Sequence, residues 1–477
     1  MRVKTYLAAG LFCLAVTTKA KAQTPSLQKL ALGVSVLEEP MAPSSKAQVY
    51  GQVRMEGMQY LTPIAEASQL TYSQLLSARL SAVKETSWMD FASDISGGTF
   101  FTKGQSHFVV HELYAGSHGN SDFKTFVGRK KKSWSEIDQR WQLGLWQPTF
   151  SIDALRPEEQ GLTGLFLDYN TQKLEVLGFV TPMFIPNMGP DIREEGGGLV
   201  ADSRWYRAPS RDYDFNNRIN TISYDLDIPE TAKLVANPGG AFMVRVGDKD
   251  KGPWLNVSAG YLPVNELILK RQNFKDVSED EVDVTVSPVV TYHSISSVDF
   301  GYSYNSVSGT ISYLQDEPLE KLPDPDWSIQ KIKALQAYSA SLDFSLANIF
   351  SKTLSFQIEY LKVVGGGIVD ILSTGQPDDF TLFDKRLKFT NALSFGVEGQ
   401  LASFFRRPFV TRFKYLYDYD QRGSLLNTEF LYYPSQKWAV VMGGDILGVQ
   451  DETFSPSSFL NQYRANDRVY GGMTYVF

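Results

Sequence analysis

The sequence predicts an all-β fold, a transmembrane antiparallel up-and-down β-barrel of about 20 strands, with a range of 16 to 20. Three observations lead there: long runs of period-two hydrophobic alternation, a short-long order of the connections between them, and an amphipathic strand that ends on the last residue. The alternation is clearest in the carboxyl-terminal third. Tyr338, Ala340, Leu342, Phe344 and Leu346 oppose Ser339, Ser341, Asp343 and Ser345. After Asn348 to Lys352 the pattern resumes with Leu354, Phe356, Ile358 and Tyr360 against Ser355, Gln357 and Glu359, so the two runs read as a hairpin. It returns over Leu387 to Glu398, over Phe409 to Asp420, and over Phe430 to Ile446 around a turn at Pro434. A soluble sandwich also alternates, but it must protect its sheet edges and rarely sustains strands this long. A tilted bilayer crossing takes about 9–11 residues.

The ends of the chain agree with this. Arg468 to Phe477 places Val469, Gly471, Met473, Tyr475 and Phe477 on one strand face. At the other end, Arg2 and Lys4 precede an apolar stretch from Tyr6 to Val16, and Ala20-Lys21-Ala22 is a small-x-small site. That is the pattern of a cleaved secretory signal peptide, residues 1–22, since the apolar run is too short to span a bilayer as a helix. The single cysteine, Cys13, leaves with it, so disulfides and Cys-ligated metals drop out. A terminal strand with aromatic residues at its last and third-last positions resembles the closing strand of bacterial outer-membrane β-barrel proteins, the porin-like class. The resemblance implies that Tyr475 and Phe477 form an assembly signal read by the barrel-assembly machinery. It also implies a Gram-negative outer membrane, with lipid and lipopolysaccharide as neighbours. Porins are often trimers, which leaves a homo-oligomer open.

Composition is compatible with that class. Aromatic residues make up 13%, with 30 Phe, 24 Tyr and 8 Trp, and barrels need aromatic girdles at both interfaces. Mean hydropathy is −0.21, as expected where polar and apolar residues alternate. The leader holds four basic and no acidic residues, leaving 42 basic against 53 acidic residues in the mature chain. Such a balance argues against nucleic acid as a partner. Residues 23–45, Pro-rich at both ends, read as a loosely ordered periplasmic segment before a barrel that occupies 46–477.

Loop lengths assign sides, because such barrels keep periplasmic turns short and outer loops long. Counting back from a periplasmic carboxyl terminus puts 447–465, 365–385 and 316–334 outside, and 433–437 and Asn348 to Lys352 in the periplasm. Farther back, 267–281 is periplasmic if both 295–297 and 305–306 are turns, and an outer loop if only one is. Two long segments interrupt the strands, 130–164 and 183–217. They hold Trp134, Trp141, Trp146 and Trp205, half of the tryptophans. Loops in water do not normally concentrate Trp, so one or both are expected to enter the lumen and narrow it. The competing reading is that they pack on one another above the membrane.

Charged side chains on strands are expected to face inward, because Arg or Lys against lipid at mid-depth costs about 2–4 kcal/mol. The pore-lining candidates are Arg54, Arg79, Glu359, Lys388, Glu398, Arg412 and Lys414, with Glu56, Asp343 and Gln357 on the same faces. Constriction candidates are Trp134, Arg140, Arg156, Glu158 and Glu159, and a pairing of Arg156 to Glu159 with Arg412 and Lys414 would set a transverse field. The basic run Arg129 to Lys132 suits either anion recruitment or lipopolysaccharide phosphates at a rim. Glu279, Asp280, Glu281 and Asp283 lack EF-hand spacing. His107 and His111 stand about 13 Å apart along a strand, too far to share a metal, and Glu112 points away from His111. No nucleophile or phosphate-loop motif occurs. No catalytic residue, cofactor or metal is therefore expected. The sequence reads as a porin-like channel for passive diffusion of small polar solutes. A structural or adhesive barrel with a closed lumen is the first alternative, and an enzymatic barrel acting on lipid or peptide at the outer rim the second.

Overall fold

The computed structural model describes residues 47–477 apart from 63–70, 103, 118–121, 216–217, 276–280, 350–351, 378–385 and 405–406. The leader, Cys13, residues 23–45, Glu279 and Asp280 lie outside the described residues. Eighteen antiparallel strands close into a barrel, the first, Gln48–Tyr60, pairing with the last, Arg468–Val476, from Gln52 against Val476 to Tyr60 against Arg468. Every neighbour in the ring is the next barrel strand along the chain, which makes the topology a pure up-and-down meander. Its outer face is apolar, as at Val298, Phe300 and Tyr302 of Tyr292–Tyr304, while His293, Ile295, Ser297 and Asp299 of the same strand are buried inside. Period-two geometry does this without further instruction. No helix among the described residues is long and apolar enough to cross a membrane; the crossing is made by strands.

The strand count is 18, within the expected range of 16 to 20. Residues 295–297, one of the two turns that a count of 20 requires, lie inside the single strand Tyr292–Tyr304. Their serines are ordinary members of an alternating strand, with Ser297 inward beside Ile295. Only 305–306 turns, between that strand and Val307–Pro318. Parity then moves 267–281 to the long-loop rim, opposite the end that carries Gln48 and Phe477.

At that rim stands a second, six-stranded sheet that the alternation of the barrel strands did not announce. Its order is Asp212–Phe215, Arg218–Leu226, Glu281–Val289, Ile268–Lys275, Trp327–Ile332 and Ile368–Leu372. Four different connections supply these strands, and one pair, Arg218–Leu226 with Glu281–Val289, is parallel. Ile268, Ile329, Ile332, Ile368 and Ile371 pack together at one end, and Leu199, Ile222, Tyr224, Val284 and Val286 at the other. Arg271, 1% exposed, sits among them, with its Nε donating to Ser328 Oγ at 2.9 Å and Asp370 3.2 Å away. Runs of five or six residues such as Ile368–Leu372 are too short to separate from loop by pattern alone.

The last strand ends against the first. Gly51 N donates to Phe477 O at 3.1 Å and Phe477 N to Gly51 O at 3.0 Å. The Phe477 ring lies where a Cβ on residue 51 would meet it at 2.3 Å, so glycine there makes room for the terminal aromatic. Trp438, Tyr475 and Phe477 form a contiguous aromatic row on the outer face at this rim, Tyr475 stacked on Phe477 and tilted against Trp438.

Candidate functional site

The segment after the fifth barrel strand, Phe123–Lys130, turns into the barrel and is held to the inner wall along its length. Its six-residue helix, Glu136–Trp141, ends at Gln142 in the left-handed region. The Asp138 carboxylate then accepts from Leu145 N at 2.9 Å and Trp146 N at 3.1 Å, folding the chain back on itself. Trp134 and Trp146 stack with centroids 5.2 Å apart and planes 7° apart, each 1% exposed. The Trp134 carbonyl accepts from Asn256 Nδ2 and Ser258 Oγ of the wall, and Trp141 Nε1 donates to Ser339 Oγ. Around them gather inward wall residues that alternation alone would have left in water, including Phe166, Leu177, Phe179, Leu314 and Leu361. One side of the lumen is thereby filled with an apolar core.

Burial pushes the Asp138 carboxyl up to about 6, against the two backbone hydrogen bonds that favour its charged form. An unfolded Asp titrates near about 3.9. Between about pH 4 and pH 6 the folded chain thus holds a proton that the unfolded chain lacks, so stability falls as pH rises through that window and levels off above it. Urea unfolding midpoints across it should show this slope, and Asp138→Asn should flatten it.

Ion pairs fasten the rest of the segment. Arg140 reaches Asp343 at 2.6 Å and Glu359 at 3.3 Å. Arg156 pairs with Glu56 at 2.8 Å and lies over the Tyr470 ring, with Asp445 3.8 Å away. Arg468, fully buried, is shared between Asp153 and Asp445, each at 2.7 Å. Glu158 meets His111 Nε2 at 3.1 Å, and Glu159 accepts from Gln147.

The other side of the lumen holds a cavity of about 670 Å³. Arg54, Arg79, Lys388, Arg412 and Lys414 line it, together with Arg140, Arg156, Glu158 and Glu159 from the inserted segment. The segment faces Arg412 and Lys414 across this space, but its bonds go elsewhere, to Glu56, His111 and Asp445. Arg412 and Lys414 are engaged within the wall, with Glu398 at 2.9 Å and Glu359 at 3.4 Å respectively. Arg54 pairs with Glu56, and Arg79 with Asp94 at 2.5 Å. Among the described residues, nine Lys or Arg and six Asp or Glu border the cavity. A second cavity of about 640 Å³ shares Arg412, Lys414 and Asn427 with the first and reaches Lys249, Asp250 and Asn305 at the short-turn rim.

Three expectations change. Lys388 is not on a strand, since that strand starts at Asn391; it reaches the cavity from the preceding connection, with Nζ donating to Ala154 O at 2.7 Å. Arg129 to Lys132 form no open basic rim. Arg129 donates to Gly161 O, Lys130 lies over the Tyr114 and Phe126 rings, and Lys132 pairs with Asp168 and Glu175. His111 and Glu112 both point inward, because a bulge opposite Asp94 and Ile95 inserts a residue and shifts the alternation. In 183–217, the hairpin of Arg193–Glu195 with Gly198–Val200 packs through Leu199 on the second sheet, and among the described residues of this segment Trp205 borders the cavity.

Two of the histidines lie close to this space. His107 lies between the tilted rings of Phe100 and Phe150, with centroids 6.0 and 5.1 Å away. Ser96 Oγ lies 2.8 Å from His111 Nε2, the same nitrogen that Glu158 meets. A relay needs the acid on one ring nitrogen and the nucleophile on the other, so this trio lacks the geometry of a serine hydrolase.

No protein-family model and no curated protein matches the sequence. Solved structures similar to the chain include OccAB3 of Acinetobacter baumannii, at 10% identity over 91% of this chain and 100% of that one, with a TM-score of 0.46. OmpT, an outer membrane protein of Vibrio cholerae, in its trimer form, is 13% identical over 91% and 99%, with a TM-score of 0.40. OmpF of Salmonella typhi, in complex with daunomycin, is 10% identical over 91% and 98%, with a TM-score of 0.38. Likeness this distant carries no residue role across, and the assignment of this chain as a closed, 18-stranded transmembrane β-barrel rests on its own strand pairing and apolar outer face.

Proposed function

We propose that this protein is an outer-membrane channel for the passive diffusion of small polar solutes, confined to the side of the lumen that the inserted segment leaves open. The observation that carries this is the run of polar space from the cavity beside Arg156 and Glu158, past Arg412, Lys414 and Asn427, to the short-turn rim. Charges of both signs face each other across it, the arrangement that gives a narrow pore its selectivity. Ion pairs at both ends of the inserted segment make it a fixed wall of that path rather than a mobile plug.

Planar-bilayer recording of refolded protein tests the reading. Stepwise conductance is expected, and Glu158→Gln combined with Glu159→Gln should shift its ion preference toward anions, since two carboxylates leave the cavity wall. A silent bilayer with correctly folded protein would sink the proposal. That outcome would favour a structural barrel with a closed lumen, a reading supported by the apolar core around Trp134 and Trp146.

A further inference from the structure

At its long-loop end the cavity is bordered by an aromatic cluster drawn from three separate connections. Trp205 stacks on Phe459 at 6.1 Å and lies 5.4 Å from Tyr463, while Phe389 meets Phe459 edge-on at 5.8 Å. Trp205 and Phe389 line the cavity itself. Immediately before Phe389 comes Lys388. Its ammonium has one hydrogen-bond acceptor, the Ala154 carbonyl, and no carboxylate within ion-pair distance among the described residues. Other donors border the same space without an acceptor. Arg468 Nη2 and Trp205 Nε1 are buried and make no hydrogen bond among the described residues, although Arg468 is ion-paired through its other nitrogens, and Arg156 Nη2 makes no hydrogen bond but lies 3.8 Å from Asp445.

Spare hydrogen-bonding capacity here is thus carried by cations and an indole N–H beside Asp153 Oδ2, an acceptor that makes no hydrogen bond but is ion-paired with Arg468 at 2.7 Å, and the neighbouring surface is aromatic. Donors left unpaired in a buried site are costly, and a carboxylate satisfies several at once. Burial also pushes the Lys388 amine down to about 8, with Asp153 opposing, which is the mark of a cation short of counter-charge.

We propose that Lys388, Arg156, Arg468, Trp205 and Phe389 form a binding site for an organic monoanion, a carboxylate on an aromatic or apolar body, within the channel. The carboxylate takes the free donors of Lys388 and Arg468 beside the Arg156 guanidinium, and the body lies against Trp205 and Phe389. This deepens the channel reading by naming a solute class, but occupancy of the site does not require conduction, so the two are separable.

The test uses full-length refolded protein in detergent, titrated calorimetrically with 3-phenylpropionate, with its neutral isostere 3-phenylpropanol and with acetate. Phenylpropionate is expected to bind at least about tenfold tighter than either comparison compound, one factor of ten being about 1.4 kcal/mol. Lys388→Gln should lose that preference and Lys388→Arg should keep it, and circular dichroism with heat-modifiable gel mobility confirms that each variant is folded. Trp205→Phe, which keeps the ring and removes the N–H, should weaken binding less than Lys388→Gln. Equal binding of acid and alcohol, or binding untouched by Lys388→Gln, overturns the site. In bilayers, conduction that phenylpropionate does not interrupt also overturns it while leaving the channel intact. Selective binding by a protein that does not conduct supports the site and removes the channel.

Discussion

Replacing Trp134 and Trp146 together by alanine is expected to raise the unitary conductance several-fold and to lower stability by several kcal/mol. Each indole is 1% exposed, and the pair stacks at the centre of the material that fills one side of the lumen. Trp-to-Ala changes in packed cores cost about 3–5 kcal/mol. The two costs will not add, because stacked neighbours share the contacts that each change removes. What distinguishes this core from a soluble one is its surroundings. The strands behind it are closed by backbone hydrogen bonds all the way round, so the barrel can survive loss of its filling while water enters the space. Single-channel recording alongside urea unfolding reads both effects. A destabilised protein with unchanged conductance would show that the path does not depend on the inserted segment.

Arg468→Met should be the most damaging single change to a charge. Arg468 and Asp445 are both fully buried in the wall, and Arg468 alone ties Asp153 of the inserted segment to Asp445 of the neighbouring strand. Removing one member of a buried pair leaves the others uncompensated, at about 3–5 kcal/mol. Asp445→Asn on that background should restore part of the loss, because it removes the stranded charge while keeping an acceptor. Urea midpoints of the two variants measure this. Freed from Arg468, the turn at Asp153 is also expected to fluctuate, giving excess noise in the open-channel current. A quiet, wild-type-like trace would mean that the remaining contacts, Arg156 on Glu56 and Arg140 on Asp343 among them, hold the segment without Arg468.

Those two sites differ in how legible they were. The barrel could be read because each strand carries its own instruction, as at Val298, Phe300 and Tyr302 facing outward against Ser297 and Asp299 facing inward. The inward charges Arg54, Arg79, Glu359, Glu398, Arg412 and Lys414 followed from the same rule. The Trp-rich segment was marked by composition, since Trp134, Trp141 and Trp146 in a supposed loop need something to bury them. Their partners were not legible. Nothing along the chain says that Trp134 is held by Asn256 and Ser258, or that Arg156 chooses Glu56 rather than the Arg412 wall.

The misreadings have physical causes as well. Ser294 to Ser297 carry turn-like residues, yet a strand paired on both sides tolerates serine, and hydrogen bonding overrode local propensity there. The bulge beside His111 turned Glu112 inward, since one inserted residue flips every side chain after it. Lys388 looked like a strand residue because its neighbours Leu387 and Phe389 alternate with it, but those apolar residues pack on the inserted segment and the aromatic cluster instead.

By itself, then, the sequence determined what repeats: the closed sheet, its apolar outside, its inward charges and the terminal strand that ends on Phe477. These depend on a period of two and on the difference between lipid and water, both of which act residue by residue. Only the tertiary structure decided which side of the lumen is filled, which connections build the second sheet at the long-loop rim, and where Lys388 meets Trp205, Arg156 and Arg468. Those outcomes depend on pairings between residues as much as 315 positions apart, as for Asp153 and Arg468, and such contacts leave no period in the chain.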